Sequence, residues 1–92
     1  MADIDTAARP AIGAGFRLQW EPAQEAHVLL YPEGMVRLSR SAAAIMTRCD
    51  GERTVAAIVA AIEREYAASG LSSDVHAFIR LALERSWLEL RP

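Results

Sequence analysis

Residues 16–21 alternate between apolar and polar, with Phe16, Leu18 and Trp20 on one side and Arg17, Gln19 and Glu21 on the other. A period of two predicts a half-buried strand. Residues 22–25 then read as a turn, and residues 26–31 as a second strand. That strand is apolar on both faces, which predicts a central position covered from two sides or shared with a partner. Pro32-Glu33-Gly34 supplies turn chemistry, because proline presets φ at the second turn position and glycine is favoured at the fourth. A third strand follows at 35–38. Short connections favour an antiparallel meander in chain order, which leaves the third strand at an edge.

Beyond Ser39 the apolar period lengthens to that of a helix. Ser39 caps a first helix over about 40–49, with Ala42, Ile45, Met46 and Cys49 on its inner face. Asp50-Gly51 ends it, glycine being cheap in the left-handed conformation. Thr54 caps a second helix over about 55–66, whose stripe is Val55, Ile58, Val59, Ile62 and Tyr66. Ser69-Gly70 breaks that helix. Ser72 or Ser73 caps a third, with Asp74 favourable to its dipole and Val75, Phe78, Ile79, Ala82 and Leu83 facing inward. Trp87, Leu88 and Leu90 close the core. The expectation is one small α+β domain over 16–92, a three-stranded antiparallel sheet packed by three helices. Residues 1–15, rich in alanine and without periodicity, read as a flexible N-terminal tail.

Chemistry is sparse. The chain has 92 residues, a formal charge of −2 and one cysteine. That charge disfavours generic polyanion binding, and a lone thiol excludes an internal disulfide framework. Cys49 and the two histidines, His27 and His76, do not have the ligand spacing of a structural zinc site, so no metal is expected. Cys49 reads as a small buried hydrophobe. There is no glycine-rich phosphate loop and no nucleophile in a catalytic setting, so neither a cofactor nor enzymatic activity is expected. With no secretory signal pattern and no apolar run of membrane-spanning length, the expectation is a cytoplasmic protein without membrane contact.

The run HVLLYPEGMVRLSRSAAAI, then CDGERT, preceded by FRLQWE and followed by DVxxFI and WL, resembles the pyrroloquinoline quinone (PQQ) biosynthesis protein D family, PqqD. The likeness covers roughly residues 10–90. It implies a winged-helix-like precursor-peptide recognition element. Such a peptide chaperone binds the ribosomal precursor of the cofactor and presents it to a radical-SAM PQQ synthase. The family often has glycine before the C-terminal Trp-Leu, where this chain has Ser86, a departure that bears on the local turn.

An unpaired strand edge can accept a guest strand, and pockets beside it read the guest's side chains. With the third strand at the edge and the third helix next to it, Met35, Val36, Arg37 and Leu38 line one side of a groove. Val75, Phe78, Ile79, Arg80 and Ala82 line the other. At these spacings Leu38, Phe78 and Ile79 are more often core, whereas Arg37 and Arg80 suit an exposed wall. The same groove is where the resemblance places the precursor peptide. A winged-helix DNA-binding regulator is the alternative, but the third helix offers Asp74, His76, Arg80, Glu84 and Arg85, which carry no net positive field. A second alternative is a structural homodimer pairing through free edges, so the chain is expected as a monomer or weak homodimer.

Overall fold

A computed structural model describes residues 4–91. In chain order the elements are β1 (Arg9–Ile12), β2 (Arg17–Glu21), β3 (Ala26–Tyr31), β4 (Gly34–Arg37), α1 (Arg40–Met46), α2 (Val55–Glu65), α3 (Ser72–Glu84) and β5 (Leu88–Arg91). The expected meander is present as an antiparallel sheet ordered β2-β3-β4. β3 lies at its centre, and Val28 and Leu29, which point to opposite faces, are both fully buried. Leu29 joins the helices in a core built with Met46, Val55, Ile58 and Ile79, while Leu18 and Val36 flank it from the neighbouring strands. Trp20 departs from the expected inward face. It is 51% exposed at the sheet margin and rests edge-on against His27, with ring centroids 5.2 Å apart.

Both expected helix caps form, with the Ser39 hydroxyl accepting from the Ala42 amide and the Thr54 hydroxyl from the Ala57 amide. α1 is shorter than its periodicity suggested and stops at Met46. α2 ends before Ser69-Gly70: Ala67 takes φ +49°, its amide donates to the Arg64 carbonyl, and the Ala68 amide donates to that of Glu63. Tyr66 therefore caps the helix and is exposed instead of buried. α3 has no serine cap. Leu71 precedes it, and the Leu71 amide is satisfied by the Glu63 carboxylate at 3.0 Å.

The largest departure is at the N-terminus. The tail expected over 1–15 contains β1, which pairs with β5 in a separate two-stranded sheet (residues 1–3 lie outside the described residues). Just before β1, the Thr6 and Ala8 carbonyls accept from the Ala56 and Val55 amides. Together with Thr54 they satisfy donors that the first turn of a helix cannot pair internally. The same segment binds the CDGERT turn. The Gly51 amide donates to the Pro10 carbonyl at 2.9 Å, and Ala11 bridges Asp50. Gly51 has φ +79° under the Arg91 side chain, where a Cβ would lie 2.6 Å from a guanidinium nitrogen. The Asp50 carboxyl, accepting from the Arg53 and Glu52 amides at 2.9 Å, is held below its usual pKa by these bonds.

α3 ends in a Schellman turn: the Trp87 amide donates to the Ala82 carbonyl and the Ser86 amide to that of Leu83. Ser86 is the left-handed residue, with φ +64°. Glycine occupies such a position without the Cβ penalty. Ser86→Gly should raise stability by about 0.5–1 kcal/mol, read as a higher urea midpoint at unchanged slope. A lower midpoint would show that the hydroxyl contributes more than the strain costs.

Candidate functional site

β4 is an edge strand among the described residues, with β3 on one side and no strand on the other. Its phase follows from one hydrogen bond. The Leu38 amide donates to the His27 carbonyl at 3.0 Å, so the opposed pair Leu38–His27 is a hydrogen-bonded one. Opposed pairs alternate along an antiparallel ladder. Val36, opposite Leu29, therefore turns its amide and carbonyl toward β3. Met35 and Arg37, opposite Leu30 and Val28, turn theirs outward. The open edge thus offers two donors and two acceptors, at Met35 and Arg37. The Met35 side chain is 48% exposed beside them.

Where β4 gives way to α1, an apolar groove of about 620 Å³ begins at Ser39. Ala42 and Ile45 of α1 form one wall, and Leu71, Val75 and Phe78 of the α3 side form the other. Ile62 and Tyr66 lie toward the end of α2, and Asp74 adds the only formal charge among the described lining residues. A second groove of about 750 Å³ also includes Ser39 and runs from Arg37 along α1 toward Trp20 and His27.

Of the residues expected to line a groove, Val75 and Phe78 do so, while Met35, Val36 and Arg37 form the strand that leads to it. Leu38, Ile79 and Ala82 are core instead, at 6%, 0% and 0% exposure. The helical period explains the division. Ile79 and Ala82 share the inward face with Val75, which is buried and only borders the groove, whereas Leu71 and Phe78 sit on its flank, toward the groove. Arg80 lies two residues past Phe78, about 200° round the helix, and lines neither groove. Sequence reasoning missed the contribution of α1. The signal was available in the two-residue spacing between β4 and α1, which obliges the start of that helix to lie beside the strand.

Cys49 is buried on the inner side of the α1–α2 connection, its thiol donating to the Ile45 carbonyl. Burial, with a smaller contribution from the Asp50 charge, pushes it up to about 12. An unfolded thiol ionises at about 8.5, so this contribution to stability is intact below that pH and declines as pH rises toward about 12. Iodoacetamide at about pH 8.5 should leave the native protein unmodified and label it only on unfolding. Rapid native labelling would show that α1 opens. No group of histidine, cysteine and carboxylate side chains among the described residues is placed to hold a metal ion, and no described helix is long and apolar enough to cross a membrane.

A family profile described as "Coenzyme PQQ synthesis protein D (PqqD)" matches residues 26–88. A "PqqA binding protein" of Stutzerimonas stutzeri is 53% identical over 92 residues, covering 99% of this chain and 100% of the relative. One from Azotobacter vinelandii is 57% identical over 82 residues, covering 88% and 89%. Among solved structures, the PqqD truncation of Methylobacterium extorquens PqqCD superposes with a TM-score of 0.68. It is 30% identical over 96% of this chain and 95% of that one. That protein is described as a functional, stand-alone recognition element for ribosomally synthesized and post-translationally modified peptides.

Proposed function

Since the chain belongs to the PqqD family of coenzyme PQQ synthesis proteins, we propose that it is a non-catalytic chaperone for the precursor peptide PqqA. The peptide adds as a strand to β4 and lays apolar side chains into the groove between α1 and α3. The observation that carries this reading is the free β4 edge, whose outward amides at Met35 and Arg37 lead to an apolar groove at Ser39. Backbone pairing supplies affinity without regard to sequence, and Leu71 and Phe78 supply selection. Val36 takes part by holding β4 against β3. Leu38, Ile79 and Ala82 act by keeping the groove walls in place.

The captured peptide is then presented to a radical-SAM enzyme in the cytoplasm. Holding it on the chaperone turns the enzyme's second encounter into a local one and raises the effective concentration. Amide chemical-shift mapping of the labelled chain with PqqA, and then with the enzyme added, tests both steps. PqqA should move the Met35, Arg37, Leu71 and Phe78 amides. Changes centred on β2, or on the β1–β5 pair, would place the peptide elsewhere. Failure of the enzyme to perturb the loaded chain would remove the presentation step and leave peptide capture standing.

A further inference from the structure

We infer that the α1–α2 side of the protein is a second docking face, which receives a carboxylate-bearing segment of a protein partner. The 750 Å³ groove beside α1 and a neighbouring groove of about 570 Å³ along α2 share Arg48 and Glu65, so they form one continuous surface. Arg37, Arg40, Arg48, Arg53 and Arg64 line it, half of the ten basic side chains in a chain whose net charge is −2. The lining carboxylates are Glu25 and Glu65, and Glu65 is engaged by Arg48. Arg53 stands 4.0 Å from Asp50, outside the lining. Arg40 and Arg64 have no carboxylate partner among the described residues.

Between the arginines the surface is made of Ala43, Ala44, Ala57 and Ala61, which allow a guest to approach closely while the guanidinium groups close over its charges. Every permanently cationic side chain in the protein is arginine. Its planar fork matches a carboxylate in two parallel hydrogen bonds, which a lysine ammonium does not. At the far end Trp20 is half exposed and steadied by His27, an aromatic anchor beside arginines of the kind that dominates protein interfaces. Glu25 and Glu65 lower the number of phosphates the surface could neutralise, the quantity that sets affinity for a nucleic-acid backbone. A protein segment can place its carboxylates only where arginines wait.

The test is a titration of the labelled full chain at physiological ionic strength with a blocked glutamate–leucine peptide, with a short DNA duplex, and by its own dilution. The acidic peptide should produce saturable shifts at the side-chain signals of Arg40, Arg48 and Arg64 and at the Trp20 indole. Arg80 and Arg85, elsewhere on the surface, should stay still. Combining Arg40→Glu with Arg64→Glu should weaken that binding about five- to tenfold and leave PqqA affinity unchanged. Met35→Pro should do the reverse, so failure here is distinguishable from failure of the peptide groove. The inference is overturned by shifts spread equally over Arg80 and Arg85, by tighter binding of DNA, by self-association through this face, or by no saturable response.

Discussion

Met35→Pro should weaken PqqA binding about 10- to 100-fold while leaving the domain folded. The Met35 amide points away from β3, so proline there removes a donor that no bond among the described residues uses. Proline is tolerated on an edge strand for this reason. A guest strand would lose one hydrogen bond, and its carbonyl, now buried without a donor, would add a desolvation cost of about 1–3 kcal/mol. Val36→Pro makes the contrast. Its amide lies within the ladder opposite Leu29, so that substitution should cost about 3 kcal/mol of stability and fail as a clean binding variant. Fluorescence anisotropy with labelled PqqA, paired with a thermal melt, separates the two. A folded Met35→Pro protein with native affinity would move the peptide off β4.

Gly13→Ala should cost about 1–3 kcal/mol of stability and leave PqqA affinity unaltered. Gly13 sits where β1 leaves the β5 ladder, its amide donating to the Trp87 carbonyl at 2.8 Å. A Cβ there would lie 2.1 Å from the Ser86 carbonyl oxygen, which is backbone and cannot rotate away. The two strands must separate to admit it, and that loosens the carbonyls that cap α2. In a domain of this size each kcal/mol lowers Tm by about 4–8 °C. Differential scanning calorimetry reads the loss directly. An unchanged Tm would show that the β1–β5 pair contributes little to holding the core.

These two positions mark what was readable in the chain and what was not. The β2-β3-β4 meander and both helix caps follow from local signals: alternation, Pro-Glu-Gly between strands, and a hydroxyl before each helical stripe. The edge position of β4 follows from short connections alone. Its phase does not, because which amides face outward depends on how Leu38 meets His27, and nothing in the residue types fixes that. β1 was invisible for a different reason. Its four residues, RPAI, have no partner nearby in sequence; they are ordered by meeting β5 and CDGERT, while Thr6 and Ala8 just before them meet the start of α2. The mixed groove assignment has the same root. A helical stripe names a face to within about a residue, and Ile79 and Phe78 fall on either side of the line between interior and groove.

The β1–β5 pairing also determines how the molecule yields to tension. Arg9, where the chain enters β1, lies opposite Arg91, where it leaves β5. A force that draws the two ends apart therefore peels the ladder open one hydrogen-bonded pair at a time instead of shearing all of its bonds together. The Thr6 and Ala8 carbonyls lie outside that ladder on its N-terminal side, so the same force frees the start of α2 before the ladder opens and before the load reaches the central sheet.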